Sequence, residues 1–257
     1  MKKIVSPLMF AMALASAGTA MAQTAPAAPE SSLSFNVGAV NEYRYRGLSQ
    51  SRFEPALQGG ADYADKSGAY IGVWGSSIKW IKDTTVNGVS GKANAEVDIY
   101  GGYKFAVGDV GYDLGFLRYE YSGNEMQKVD GYANTNTNEL YGAVTVGPTT
   151  VKYSRSTGNL FGTIGSKGST YLDLTATFDL GGGISFMPHL GYQKVNGTGN
   201  GKYSYTDYAL TFGKDLGNGL TASAAIIGTD AEKGSYVSPS GKQLGKAGLV
   251  VGIKYAF

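Results

Sequence analysis

The chain contains no cysteine, so a disulfide framework and a thiolate metal site are both excluded. Histidine occurs once, as His189; a His-rich metal centre is excluded, and a catalytic histidine would need partners that no spacing identifies. Proline is scarce, 7 residues against 39 glycines, and the glycines follow no fixed period, which argues against collagen and against a disordered linker. Long apolar runs are missing. Beyond the N-terminus the longest wholly apolar stretch is Ala224-Ala225-Ile226-Ile227, far short of the roughly 20 residues a helix needs to cross a bilayer. Charge is balanced, with Lys+Arg 22 against Asp+Glu 20. Setting aside Lys2 and Lys3, which belong to an expected leader, leaves 20 of each sign, so no electrostatic case for a nucleic-acid partner exists.

What the chain does have is alternation. Leu249, Val251, Ile253, Tyr255 and Phe257 fall at every second position, opposite Gly248, Gly252, Lys254 and Ala256, so one face of a final strand is an apolar stripe. This ending is similar to the C-terminal insertion signal of Gram-negative outer-membrane β-barrels, whose last strand finishes Tyr-x-Phe; the resemblance implies a barrel-assembly machinery as partner. At the other end, Met1-Lys2-Lys3, a mostly apolar stretch from Ile4 to Ala17 and the small-x-small site Ala20-Met21-Ala22 read as a secretory signal peptide cleaved before Gln23. The expected division is a leader at 1–22, a flexible Ala/Pro segment at 23–32 and a barrel at 33–257.

Twelve strands are expected, at about 33–46, 55–64, 69–78, 95–107, 110–121, 138–146, 149–156, 170–180, 184–193, 205–215, 220–229 and 247–257. Short turns (Asp65 to Gly68, Gly108-Asp109, Gly147-Pro148, Gly181 to Gly183, Gly217 to Gly219) alternate with long polar connections such as Lys79 to Asn94, Ser122 to Thr137 and Asp230 to Lys246. That rhythm predicts an all-β fold: a single transmembrane antiparallel up-and-down β-barrel with periplasmic turns and external loops. A sandwich with Greek-key crossings would not keep it. Thr177 to Ile184 and Phe212 to Leu220 echo one another as reused Asp-Leu-Gly-x-Gly corners rather than as a repeat architecture.

Strand parity assigns faces, because a charge facing mid-bilayer costs about 2 to 4 kcal/mol. In the first strand it puts Leu33, Phe35, Val37, Ala39, Tyr43 and Tyr45 toward lipid and Glu42, Arg44 and Arg46 toward the lumen. The same rule gives lumen-lining Asp62, Glu96, Asp98, Lys104, Asp113, Glu139, Lys152, Asp173, His189, Asp207 and Lys254, with carboxylates ahead of lysine and arginine by eight to five; these charges either line an open pore or pair across the lumen and plug it. In the fifth strand Leu114 and Phe116 share a parity with Arg118 and Glu120, which predicts a bulge or a boundary error near Leu117. Tyr45, Tyr112, Tyr153 and Phe257 are expected in interfacial girdles. Aromatic and basic residues interleave at Tyr43 to Arg46, but alternation would separate them onto opposite faces. Gly181 to Gly183 lacks the strand-to-helix context of a nucleotide loop.

Asn41-Glu42-Tyr43-Arg44-Tyr45-Arg46-Gly47-Leu48-Ser49-Gln50 resembles the opening signature of the TorF family of porin-like barrels, approximately Asp-Tyr-x-[Phe/Tyr]-Arg-Gly-[Ile/Leu]-Ser-Gln, with Glu42 where Asp is usual. Pro55 to Gly60, Glu96 to Tyr103, Tyr205 to Tyr208 and Lys214 to Gly217 resemble it as well. The resemblance implies an outer-membrane barrel and carries no catalytic or substrate-binding residues. The expected function is a passive channel for small polar solutes or ions in the outer membrane of a Gram-negative bacterium, with outer-membrane lipid around it and no cofactor. The alternatives are a closed barrel whose loops serve adhesion or assembly, and an outer-membrane lipid hydrolase using His189 with a serine. No enzymatic activity is expected under the first two.

Overall fold

The computed structural model describes residues 31–257. The expected leader and most of segment 23–32 lie outside the described residues. Twelve antiparallel strands form the barrel wall: β1 Ser32–Val40, β2 Ala56–Ala64, β3 Ala69–Ser77, β4 Ala95–Val107, β5 Val110–Glu120, β6 Thr137–Val146, β7 Thr149–Ser156, β8 Thr170–Ala176 continued by Phe178–Gly181, β9 Ile184–Lys194, β10 Tyr205–Gly217, β11 Leu220–Thr229 and β12 Gly248–Ala256. Each strand pairs with its neighbours in sequence, and β12 returns to β1, with Asn36 opposite Ala256 and Val40 opposite Gly252. Backbone bonds between Phe35 and Phe257, 2.8 and 3.0 Å, complete the seam. A sheet closed in this way has no free edge, the condition for a β structure to stand in hydrocarbon.

The five short turns lie at the end of the barrel where Ser32 and Phe257 are found. Two of them reuse one device. Asp179 Oδ1 accepts from Gly181 N at 2.8 Å and Asp215 Oδ1 accepts from Gly217 N at 2.8 Å, and each pair shifts register as the chain turns. Gly181 to Gly183 and Gly217 to Gly219 then all take positive φ, which explains the glycines of both corners.

Period-two alternation holds around the wall. Leu33, Phe35, Val37, Leu57, Ile71, Ile99, Leu114, Val144, Leu172, Leu210 and Ile226 are exposed on the outer face. So are Leu249, Val251, Ile253, Tyr255 and Phe257 of the last strand. Phe257 stacks on Phe35 and Tyr255, and Phe105 on Tyr112, forming an aromatic rim near the short turns.

Two expectations from parity are corrected. The first strand ends at Val40, not Arg46, and Tyr43 and Tyr45 do not face lipid or join a girdle: they are 0% and 8% exposed, inside the barrel. In β5 no bulge occurs, and the register with β4 and β6 is unbroken through Leu117. Arg118 and Glu120 do point outward with Leu114 and Phe116, but at the external end of the strand. There Arg118 Nε donates to Glu120 Oε2 at 2.9 Å and its Nη1 to Asn138 at 3.2 Å. A mutually neutralised pair at the end of the strand needs no bulge.

The lipid-facing stripe of β12 yields a direct test. Val251→Lys places a cation on the outer face of the closing strand and is expected to lower folding stability in vesicles by about 2 to 4 kcal/mol, whereas Gly252→Ser on the inner face changes it little. Urea titration of refolded barrels reads both.

Candidate functional site

Inside the barrel the chain supplies its own filling. After Val40 it leaves the wall and runs inward, and every residue from Glu42 to Ser51 is buried. Residues Arg44–Tyr45 and Leu48–Ser49 form a small antiparallel hairpin with Arg46 and Gly47 at its tip. Both tip residues have positive φ, +45° and +77°, the combination a type I′ turn requires. For Gly47 this is free. A Cβ there would press on the Asp207 and Thr229 side chains, so only glycine seats the tip. For Arg46 the left-handed backbone costs about 1 kcal/mol or more, and its side chain offsets that.

The Arg46 guanidinium spans the lumen. Its Nη2 donates to Glu139 Oε2 on β6 at 2.7 Å, its Nη1 to Gln193 Oε1 on β9 at 2.6 Å, and it lies 4.1 Å from the ring centroid of Tyr171 on β8. It also lies 4.9 Å from its neighbour Tyr45, so the aromatic and basic residues expected on opposite faces are in contact. Arg44 ties the other side of the hairpin down. Its Nη1 donates to the carbonyls of Gly47, Ile227 and Lys246, while Nε and Nη2 hold Glu42 Oε1 at 2.9 and 2.7 Å. Tyr43 donates to Glu96 on β4 at 2.7 Å, and the Tyr45 and Tyr119 hydroxyls are 2.5 Å apart.

Above the hairpin the long connections close in. Ile81 from the β3–β4 connection and Met126 and Val129 from the β5–β6 connection are buried against Tyr43, Tyr45 and Tyr121 in one apolar cluster. These anchors were hidden in the sequence as one or two apolar residues at a time within polar loops. Arg52 pairs with Asp83 and Lys79 with Glu54, fastening the outgoing chain to the same loop. The Lys79 hydrogen bond holds the Glu54 carboxyl below its ordinary value, and Lys92 followed by Lys128 does the same for Glu125.

Nearer the short turns the lumen is lined by the wall itself. Carboxylates there are held mostly by tyrosine hydroxyls: Tyr70 donates to Asp113 at 2.7 Å, Tyr70 meets Tyr141, and Tyr100 donates to Asp62. Lys104 lies 4.7 Å over the Tyr70 ring and Lys152 3.9 Å over Tyr141. Lys254 is half-buried on the inner face of β12. His189 stands between Asp207, at 2.8 Å from its Nε2, and Asp173, at 3.4 Å from its Nδ1, with the Tyr171 and Thr175 hydroxyls beside it; no serine is among these partners. All the residues expected to line the lumen thus lie on inward positions of the wall, except Glu42, Arg44 and Arg46, which reach the interior on the inserted hairpin. Asp98 stands apart. It is fully buried two positions from Glu96, and neither of its carboxyl oxygens has a hydrogen-bond partner, an arrangement that costs stability when the group is ionised.

The Arg46–Glu139 pair is open to test. Arg46→Met takes the guanidinium from the buried Glu139 and is expected to destabilise the barrel by about 3 to 5 kcal/mol, while Arg46→Met with Glu139→Gln recovers most of the loss. Denaturant midpoints of the two variants give the comparison.

Among solved structures the barrel is similar to the KdgM porin, with a TM-score of 0.52 at 9% identity over 87% of this chain and 99% of that one. It is similar to the NanC porin at 0.52 and 12% identity over 88% and 99%. A KdgM porin in complex with disordered oligogalacturonate matches at 0.52 and 9% over 88% and 99%. At these identities the likeness establishes a shared porin fold. No protein of curated function matches the chain. Residues 23–257 match the family described as "Bacterial protein of unknown function (Gcw_chp)", and the chain belongs to that family.

Proposed function

We propose that the protein is a porin-like channel of the Gram-negative outer membrane, passing small polar solutes or ions, in which the Glu42 to Ser51 hairpin sets the constriction. The observation that carries this is a closed, lipid-facing barrel whose inner face is polar and charged from β2 to β12. The fold shared with KdgM and NanC supports it. The TorF-like motifs, the leader and the apolar stripe of β12 fit delivery to that membrane through the barrel-assembly machinery. With carboxylates exceeding bases along the lumen, the channel favours cations weakly. A polyanion such as the oligogalacturonate of the KdgM complex is disfavoured.

One observation supports a second function, a closed barrel acting through its loops: the hairpin and the Ile81, Met126 and Val129 anchors occupy the external end together. A lipid hydrolase has no comparable support, because His189 is held by carboxylates and hydroxyls of Tyr and Thr.

Planar-bilayer recording separates the two. Gly47→Val cannot seat the hairpin tip against Asp207 and Thr229, so single-channel conductance is expected to rise above that of the wild type. In a salt gradient the reversal potential should show weak cation preference. Absence of conductance in both proteins would sink the channel and favour the closed barrel.

A further inference from the structure

The outer face of the barrel is uneven at its external rim. On β7, β8 and β9 the side chains of Arg155, Thr170 and Lys194 lie in one row, since Thr170 pairs with Arg155 on one side and Lys194 on the other. The next outward row toward the membrane centre is Tyr153, Leu172 and Tyr192, in register in the same way and all exposed. A tyrosine row of this kind marks the interface between hydrocarbon and headgroups. The Arg155 and Lys194 row, one side-chain step further out, therefore stands at headgroup level, its two cations roughly 10 Å apart across two strand spacings.

Two loops add to that row. The β7–β8 connection, 157–169, carries Lys167, and the β9–β10 connection, 195–204, carries Lys202; both lysines are exposed, and neither loop contains a carboxylate. The loops are tied together. Asn196 Nδ2 donates to Gly168 O at 2.7 Å, Asn196 N donates to Ser169 Oγ at 3.0 Å, and Asn200 Nδ2 donates to Ile164 O at 3.0 Å. A Cβ on Gly168 would stand 3.3 Å from both Arg155 Nη2 and Asn196 Nδ2, so the Arg155 guanidinium lies against this joint. Elsewhere on the rim many bases stand beside acids, Arg118 with Glu120, Arg52 with Asp83, Lys79 with Glu54, and Lys92 and Lys128 with Glu125, and the connections that carry Lys82, Lys233, Lys242 and Lys246 also carry carboxylates of their own, Asp83, Asp230 and Glu232. Among the described residues, Arg155, Lys167, Lys194 and Lys202 take part in no ion pair. Acids on the flanking connections have other partners: Asp130, on the loop that bridges to Thr163 through Tyr132, accepts from Asn87 Nδ2 at 3.3 Å, and Asp230 Oδ1 accepts from Thr206 N at 2.6 Å.

We infer that this face binds the phosphate groups of an anionic glycolipid in the outward leaflet, with Arg155 and Lys194 on the wall and Lys167 and Lys202 from the loops as its cations. The inference rests on the outer-membrane location proposed above. Phosphate favours guanidinium and ammonium donors, and the Tyr153, Leu172 and Tyr192 row beneath them receives the acyl chains of the same molecule. A soluble anion would gain the charges but not that row, which is why a lipid is the occupant.

The test refolds the full chain into phosphatidylcholine vesicles doped with diphosphoryl lipid A and measures the lipid A retained by the barrel after transfer to mild detergent. Replacing Arg155, Lys167, Lys194 and Lys202 together by Gln is expected to reduce retention by more than about tenfold, since each basic group near an anionic surface contributes about a factor of five. Lys66→Gln with Lys214→Gln, at the opposite rim, should leave retention unchanged. Equal retention by the fourfold variant, or an equal fall in the opposite-rim variant, overturns the inference. Heat-modifiable gel mobility of the same samples reports insertion. A wild-type barrel that never inserts overturns the outer-membrane location itself, whereas insertion without a lipid A difference overturns only the glycolipid site.

Discussion

Everything in this structure follows from the hydrogen-bonded seam between β1 and β12. Hydrocarbon offers no partner for a free strand edge, so the sheet must close on itself, and closure fixes which face of every strand meets lipid. Once the outer face is apolar, the polar half of each strand has only the interior to occupy. Twelve strands make that interior wider than the side-chain-filled bore of an eight-stranded barrel and narrower than the aqueous channel of a sixteen-stranded one. Wall side chains alone do not fill such a width. The chain solves this by folding a hairpin of its own into the space.

That solution imposes a chemical requirement. A hairpin inside a lumen exposes backbone donors and acceptors to a crowded polar wall, and each must be matched. Arg44 serves three carbonyls at once, Ser51 Oγ accepts from Tyr43 N, and Arg46 crosses to β6, β8 and β9. Tyrosine is the other agent. Its ring fills volume while its hydroxyl donates to a carboxylate, as at Tyr43 with Glu96, Tyr70 with Asp113 and Tyr171 with Asp207. Most of the wall's tyrosines therefore fall into an outer population exposed on the barrel surface, such as Tyr153, Tyr192 and Tyr255, and an inner one that holds acids without adding positive charge.

The same physics explains what could and could not be seen in the sequence. Strand positions, the short-turn chemistry and the lipid face of β12 were legible because each rests on local rules of period two or of glycine at positive φ. Tyr43 to Arg46 misled because alternation is a property of any extended chain, inside a lumen as much as in its wall. The signal for departure was present in Arg46-Gly47, a two-residue turn flanked by Tyr45 and Leu48, but it requires arginine to adopt a left-handed backbone that propensity argues against. Arg118 and Glu120 misled differently: parity alone does not say how far along its axis a strand has left the hydrocarbon. The buried positions of Ile81 and Met126 depend on contacts between loops far apart in sequence, which no local pattern encodes.

Stability and the width of the lumen are consequently set by one group of residues. Glu139, Gln193 and Tyr171 hold Arg46 in a strained turn, and that turn holds the hairpin across the bore. Any change that loosens the hairpin both removes buried pairing from the fold and widens the lumen. Asp98, buried without a partner beside Glu96, lies in the wall facing this same region. A sequence selected for stability alone would place an apolar or hydrogen-bonded residue there, since replacing buried charge with well-packed apolar groups is commonly neutral or stabilising. Its presence accords with the channel proposed above, whose interior has to stay polar enough to hydrate, a condition that a purely structural core need not meet.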